Sequence, residues 1–208
     1  MNRVRQRALT LIEICIIVAL VAVLAALVFP LLTQSKIAAK RTTSLQNLRQ
    51  IGLALAMYKE SFDSLPMNYL DPLVDSGYLR DRSLLSSPCD RLDGKYGWSM
   101  AACHDGREPP KFPSSYETAL FRIEFIEQLR SIDERAALVV DRTCGRRASF
   151  SPVCDDIQYY HWGTILRLRE DTSVQTGRFW FEAVPGEVNG AWRRLRLYTE
   201  VALPPIKL

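Results

Sequence analysis

Residues 7–32 read RALTLIEICIIVALVAVLAALVFPLL, and the rest of the chain is organised around this stretch. It begins at the end of a basic leader with three arginines, Arg3, Arg5 and Arg7, and a carboxylate, Glu13, stands near its start. The 22 residues from 14 to 35 carry no charge. A helix of that length rises roughly 33 Å at about 1.5 Å per residue, enough to cross the hydrocarbon core of a bilayer. The sequence therefore predicts a membrane span followed by a soluble domain.

The charges on either side of the span predict its orientation. Leader arginines lie on the amino-terminal side, and Lys36, Lys40 and Arg41 follow the span. The leader arginines favour an amino terminus that stays in the cytoplasm. The domain after the span would then lie outside the cytoplasm.

A secretory signal peptide and a plain membrane anchor are the simpler interpretations. A signal peptide has a shorter apolar core followed by small residues, and Ala25 and Ala26 would supply such a site. However, the apolar run continues to Leu32. A plain anchor has no need of Glu13. Because an ionisable group within a membrane span is costly, Glu13 predicts a partner of opposite charge.

Residues 8–13 (ALTLIE) resemble the processing site of type IV prepilins and of type II secretion pseudopilins. In that family a leader is cut ahead of a hydrophobic residue, and a glutamate is fifth in the mature chain. Cleavage after Ala8 would make Leu9 first and Glu13 fifth. Pro30 would be the twenty-second residue, where the family's helix has a proline. Ala8 departs from the family, which usually has glycine before the cut.

The resemblance implies that this segment works in assembly. A prepilin peptidase would expose a new amine on Leu9, which is N-methylated in this family. Leu9, Thr10 and Glu13 would then form an assembly contact, in which Glu13 pairs with the amine of a neighbouring subunit. A cation and a carboxylate in apolar surroundings favour such pairing, because a buried charge without a partner is costly. Pro30 removes one helix hydrogen bond, which implies either a stretch that can extend in the filament or a simple kink.

Later stretches resemble a large class of pilin-like proteins more loosely. Residues 87–90 (SPCD) look like the Cys-Pro-Ser-Asp turn of that class, with the residue order changed. His161 is followed by nine residues and Asp171, as in a motif near the end of that class, but Thr172 replaces its glycine. Residues 137–141 (ALVVD) occupy the place of a strand that ends in aspartate.

Composition predicts one domain beyond the span. Removing residues 1–8 from the 208 lowers the formal net charge from +4 to +1 (24 basic minus 23 acidic), so the basic character is no argument for a nucleic-acid partner. The predicted organisation is a leader at 1–8, a membrane or filament-core helix at 9–35 and its amphipathic continuation at 36–65. An exported head would occupy 66–208, long enough for a core of its own.

The cysteines fit an oxidising compartment. Cys15 lies in the span, where it is most simply a small apolar residue. Cys89, Cys103, Cys144 and Cys154 lie in the head, where disulfides are expected. Four cysteines allow three pairings. We predict the two local bonds, Cys89–Cys103 and Cys144–Cys154, since each closes a short loop. A metal site is the alternative, but no CxxC spacing is present.

Apolar periodicity predicts an α+β fold with one long helix over about residues 10–64, ended by Pro66. Its apolar stripe recurs at three- and four-residue steps and comprises Leu45, Leu48, Gly52, Leu55, Tyr58 and Phe62. A short helix at 71–76 would end at Gly77. Residues 115–130 fit a helix, with a strand at 119–126 as the alternative.

The carboxyl-terminal part predicts an antiparallel sheet on which the long helix packs. Strands are expected at 136–141, 164–169, 178–184 and 191–201. Loops are expected between Cys144 and Cys154 and at 175–177.

No pattern predicts an enzyme. Residues 103–105 (CHD) place three catalytic residue types side by side. Residues adjacent in sequence cannot, however, adopt the geometry of a catalytic triad, in which a base contacts the nucleophile and a third residue orients the base. His161, among aromatic residues, is interpreted as a packing residue at a strand edge. No cofactor is predicted, and calcium is a weak candidate without EF-hand spacing. The acidic pairs that would bind it are Asp155 with Asp156 and Asp90 with Asp93.

These observations predict a structural subunit of a type IV pilus or type II secretion pseudopilus. The expected partners are a prepilin peptidase, an inner-membrane assembly platform and other pilin-like subunits, with nucleic acid not expected. The chain would cross the inner membrane once, with a periplasmic head, before entering a periplasmic or extracellular filament. A minor pilin whose head binds DNA, a surface or a secreted substrate is the alternative. A plain anchored domain is a third hypothesis.

Overall fold

The computed structural model of the chain describes residues 11–67, 69–90, 111–120, 122–150, 158–180 and 197–200. Within these ranges it has three α-helices, a 3-10 helix and five strands, which is the predicted α+β architecture. The chain divides into a first unit that ends at Ala39 and a second unit that begins at Lys40.

Helix α1 (Leu11–Phe62) is 52 residues long, close to the predicted range. It ends four residues before Pro66, where Asp63 adopts a left-handed backbone with φ of 52°. A residue in that conformation cannot continue a right-handed helix, so the helix terminates there.

One face of α1 is buried in the second unit. Its members recur at three- and four-residue steps, and they are Ser44, Asn47, Leu48, Ile51, Gly52, Ala54 and Leu55. From the predicted stripe, Leu45 and Tyr58 are half-buried, whereas Phe62 is exposed. The predicted stripe is therefore confirmed at its centre, and it also contains the polar Ser44 and Asn47.

Two short helices follow α1. Helix α2 (Asp71–Asp75) confirms the predicted helix, and Gly77 adopts the left-handed φ of 77° expected of a residue just past a helix end. A 3-10 helix spans Arg82–Leu85 and is capped by Asp81, whose carboxylate accepts a hydrogen bond from the Ser83 N–H at 2.9 Å.

The sheet is antiparallel throughout and is built around its fourth strand. Its strands are β1 (Glu117–Thr118), β2 (Ala137–Asp141), β3 (Gly145–Phe150), β4 (Gln158–Arg169) and β5 (Val174–Trp180). Helix α3 (Ile123–Ile132) connects β1 to β2 and buries Ile126 and Leu129. The predicted helix within 115–130 is thus confirmed from residue 123 onward, whereas the alternative strand at 119–126 is wrong, because the two-residue strand lies before it and residues 123–126 are helical.

Strand β4 hydrogen-bonds to three other strands. Strand β5 pairs with its residues 162–168, β2 with residues 166–169 and β3 with residues 158–163. Since β5 overlaps both of the others, β2 and β3 must share the opposite edge of β4. They follow each other along that edge, separated by residues 142–144.

The structure corrects three predictions in this region. Strand β3 occupies part of the segment between Cys144 and Cys154 that was predicted as a loop. The predicted turn at 175–177 lies inside β5, and the β4–β5 turn is at 170–173. From the predicted strand at 191–201, residues 197–200 are described, and Leu197 and Tyr198 are helical.

The two faces of β4 have different neighbours, because alternate side chains of a strand point to opposite faces. Leu168 lies on the face against α1, where it approaches Gly52. Arg167 and Arg169 lie on the other face, where the Arg167 Nε donates to the Leu197 carbonyl at 2.7 Å. The sheet is therefore covered on one face by α1 and on the other by the segment at 197–200.

Candidate functional site

The first unit presents an apolar surface. Within the described residues, α1 is the one helix long and apolar enough to cross a membrane, with an 18-residue window of mean hydropathy 3.1 that has no buried residues. Glu13 and Cys15 are both exposed in this part of α1. The predicted membrane-spanning character of this helix is confirmed by length and composition, while the processing residues Ala8, Leu9 and Thr10 lie outside the described residues.

Pro30 lies inside α1, and the helix continues through it. A proline has no N–H to donate, so one carbonyl of the preceding turn lacks its usual helix partner. Three residues later, the Thr33 hydroxyl donates to the Phe29 carbonyl at 3.2 Å. This part of the helix therefore combines a missing backbone hydrogen bond with a side-chain hydrogen bond to the backbone, a combination that bends helices.

A buried carboxylate, Asp141, is the centre of a polar cluster in the second unit. It accepts hydrogen bonds from the hydroxyls of Ser44, Ser87 (2.8 Å) and Thr143 (2.6 Å), and from the Thr143 backbone N–H (2.7 Å). All four residues are at least 98% buried. We call these four residues the Asp141 cluster. It joins α1, the segment after the 3-10 helix and the end of β2.

Burial governs the electrostatics of the cluster. Removal from water raises the pKa of the Asp141 carboxyl, although hydrogen bonds from the three hydroxyls and one N–H act in the opposite direction. Burial, followed by the nearby charge of Asp141, also raises the pKa of the Tyr116 hydroxyl, which therefore stays neutral. All four members are buried, and their hydrogen bonds hold α1, the segment at 86–90 and the end of β2 together.

A disulfide bond joins Cys89 to Cys144, with their Cα atoms 4.9 Å apart. The predicted Cys89–Cys103 and Cys144–Cys154 bonds are therefore wrong. The segment that contains Ser87 lies against the end of β2, so Cys89 meets a cysteine 55 residues away instead of one in its own loop. Cys103 and Cys154 lie outside the described residues.

Two of the pilin-like stretches meet in this cluster. Residues 87–90 supply Ser87 and Cys89, and residues 137–141 supply Asp141. Both stretches stand out in the sequence, but no sequence pattern joins them. Ser44 was not predicted, although its position on the apolar stripe, four residues before Leu48, is a signal that a polar side chain faces the core.

The third pilin-like motif forms the β4–β5 turn. His161 lies inside β4, a central strand and not an edge strand as interpreted, and nine residues later Asp171 accepts hydrogen bonds from the Ser173 N–H (2.9 Å) and hydroxyl (2.6 Å). Thr172 has a left-handed φ of 67°. A β-branched residue is strained in that conformation and glycine is not.

Replacing Thr172 with glycine is expected to raise the free energy of unfolding by about 0.5–1 kcal/mol. Relief of the left-handed strain, about 1–2 kcal/mol, exceeds the extra entropy that glycine gives the unfolded chain. Urea denaturation of the full chain in detergent micelles measures the change. Thr176→Gly, at an exposed position within β5, is the matched control and should be destabilising. A loss of stability in Thr172→Gly would contradict the strain argument.

The same turn is tied to two helices by ion pairs. Glu170 accepts from Lys59 of α1 at 2.6 Å and from Arg130 of α3 at 2.5 Å. Partial burial alone would raise the pKa of Glu170, but the hydrogen bonds from these two cations outweigh it and lower the pKa. The turn is thus fastened to α1 by charge as well as by packing.

The described residues contain no group of three or more side chains suited to hold a metal ion. Asp90, a calcium candidate, accepts a hydrogen bond from the Ser115 hydroxyl at 2.8 Å. Asp93, Asp155, Asp156 and the adjacent catalytic residue types at 103–105 lie outside the described residues, so these hypotheses stay predictions.

A family model described as "Protein of unknown function (DUF1559)" matches residues 34–102, which are 69 of the 208 residues. No curated protein and no solved structure matches the chain. The matched segment includes the part of α1 with the buried stripe and the segment at 87–90. It therefore contains three contributors to the site described above: Ser44, Ser87 and Cys89.

Proposed function

We propose that this chain is a structural subunit of a type IV pilus or of a type II secretion pseudopilus. The observation that carries the proposal is the apolar part of α1, in which every residue from 11 to 37 except the half-buried Ala25 is exposed. Exposed apolar surface of this extent is unfavourable in water and needs lipid or other apolar helices around it. The membrane surrounds this helix with lipid before assembly, and a filament core surrounds it with other apolar helices afterwards.

Two features favour a filament subunit over a plain anchor. Glu13 and Pro30 stand at the positions that prepilins use, counted from a cut after Ala8. A plain anchor accounts for the apolar run but not for a carboxylate in its first turn.

The proposed path has three steps. The chain crosses the inner membrane once with its leader in the cytoplasm and its head in the periplasm. A prepilin peptidase then cuts between Ala8 and Leu9, and the new amine is methylated. At an inner-membrane assembly platform, the amine of one subunit pairs with Glu13 of its neighbour, and the apolar helices bundle in the filament core.

Replacing Glu13 with alanine is the test of this function. The variant should remain in the membrane fraction, because the apolar run is intact, but its amount in sheared or purified filaments should fall to background, since the amine of an incoming subunit would lack its carboxylate partner. Glu60→Ala removes an exposed carboxylate from the same helix and should assemble like the wild type.

Two results would contradict the proposal. Filaments containing normal amounts of Glu13→Ala would exclude the pairing. A mature protein that still begins at Met1, measured by mass spectrometry, would exclude processing as a prepilin, whereas N-methyl-Leu9 is the expected terminus.

A further inference from the structure

The disulfide and the Asp141 cluster hold the same two segments of the head. Cys89 comes two residues after Ser87, and Cys144 directly follows Thr143. The Cys89 N–H also donates to the Ser87 hydroxyl at 3.3 Å, and the hydroxyl oxygens of Thr143 and Ser87 lie 2.9 Å apart. In each of the two segments, the bonded cysteine therefore lies within three residues of a side chain that takes part in the hydrogen bonds of the Asp141 cluster.

Helix α1 is attached to these two segments through polar contacts. The Ser44 hydroxyl donates to Asp141 at the end of β2, and the Asn47 Nδ2 donates to the Ser86 carbonyl at 3.2 Å. Both side chains lie on the buried face of α1. If segments 86–90 and 141–144 separate, α1 cannot keep both contacts.

We propose that the Cys89–Cys144 bond and the Asp141 cluster act as one oxidation-dependent latch that fixes α1 to the head. Without the bond, the two segments are held by hydrogen bonds to a carboxylate that costs free energy to bury. Separation of the segments would return Asp141 to water and release Ser44 and Asn47. With the bond formed, the segments cannot separate and α1 stays docked.

Closing the latch is an oxidation, and its oxidant is a protein or small molecule that carries a reactive disulfide. The thiols of Cys89 and Cys144 lose two protons and two electrons in total. One thiolate attacks the disulfide of the oxidant and forms a mixed disulfide, releasing one oxidant thiolate. The second thiolate then displaces the other oxidant sulfur, and the oxidant leaves as a dithiol. A chain in a reducing compartment thus has an undocked α1, and an exported chain has a docked one.

The inference goes beyond the proposed function and does not depend on filament assembly. Hydrogen exchange of the full chain in detergent micelles tests it, with the Cys89→Ser, Cys144→Ser double variant compared with the oxidised wild type. Amides of residues 44–51 should exchange about tenfold faster or more in the variant, while those of residues 164–168 in β4 should change less than about threefold. The double variant isolates this bond from the other cysteines of the head.

Two further variants make the result specific. Ser44→Ala should speed exchange of 44–51 in the wild type but add less than about twofold in the double variant, because the latch is already open. Lys59→Ala removes the contact of α1 with Glu170 and should leave the exchange of 44–51 within about threefold of the wild type.

The latch would be overturned by equal acceleration in β4 and in residues 44–51, by no acceleration in either, or by effects of Ser44→Ala that are the same in both backgrounds. If the double variant does not fold, dithiothreitol reduction of the folded wild type gives the same readout. Simultaneous loss of protection in α1 and β4 after reduction would then exclude a local latch.

Discussion

Replacing Asp141 with alanine should lower the free energy of unfolding by about 2–4 kcal/mol. Four hydrogen bonds from Ser44, Ser87 and Thr143 end on this carboxylate, all in the interior. Hydroxyls can rotate towards one another, but the Thr143 N–H cannot, so a buried donor loses its acceptor and a cavity remains. Urea denaturation of the full chain in micelles, followed by tryptophan fluorescence, measures the loss. Asp75→Ala, at an exposed position in α2, should change stability by less than about 0.5 kcal/mol.

Asp141→Asn gives the pH dependence of the same site. Burial raises the pKa of Asp141 in the folded state above its unfolded value of 3.8. The folded protein therefore binds the Asp141 proton more tightly than the unfolded chain does. The stabilisation that this proton gives the folded state is complete at pH values below the unfolded pKa, and it is lost as the pH rises through the folded pKa. Relative to Asp141→Asn, which does not titrate there, the wild type should become less stable as the pH rises from about 4. A wild type that gains stability relative to this variant over that range would contradict the direction of the shift.

Replacing Gly52 with valine should lower the free energy of unfolding by about 3 kcal/mol. A Cβ at this position would lie 2.7 Å from the Leu168 Cδ1 and 3.5 Å from the backbone of Thr172. Leu168 is fully buried, so it has no free space into which to move. The branched side chain would push α1 away from β4 and from the β4–β5 turn. Thermal and urea unfolding of the full chain in micelles measure the effect.

Two other substitutions test whether steric conflict with Leu168 causes the loss of stability in Gly52→Val. Gly52→Ala should cost less than valine, because alanine recovers about 1 kcal/mol of helix propensity while adding a single methyl group. Leu53→Val changes the exposed neighbour and should stay within about 0.5 kcal/mol of the wild type. A valine variant as stable as Leu53→Val would show that α1 does not approach β4 this closely.

The long helix could be predicted from sequence because its signals are local. An uncharged run, a stripe with steps of three and four residues and a proline past the end together predicted α1, and its carboxyl-terminal boundary was correct to within two residues. The buried strand at 137–141 was equally clear, since the five consecutive apolar residues at 136–140 leave few alternatives. Strand β3 was missed because its sequence, GRRASF, has neither apolar alternation nor an apolar run.

The site was harder to predict because its contacts join distant parts of the chain. Ser44 and Asp141 are separated by 97 residues, and the two bonded cysteines by 55. Loop closure favours short loops, which is why the local pairings were predicted, but the packing of residues 86–90 against β2 decided the actual bond. The turn at 170–173 was missed because Thr172 has none of the usual preference for a left-handed backbone, so the turn was assigned to the glycine at 177.

The position of β4 determines when the head can fold as the chain emerges. Strands β2, β3 and β5 all hydrogen-bond to residues 158–169, whereas α1 ends at Phe62 and β2 at Asp141. Until β4 arrives, the five residues of β2 that will be fully covered have only the two-residue β1 to pair with. In a chain that emerges from its amino terminus, β2 therefore lacks β4 while residues 142–157 are delivered. The sheet is complete only after β5 has emerged, because β5 also pairs with β4 and ends at Trp180.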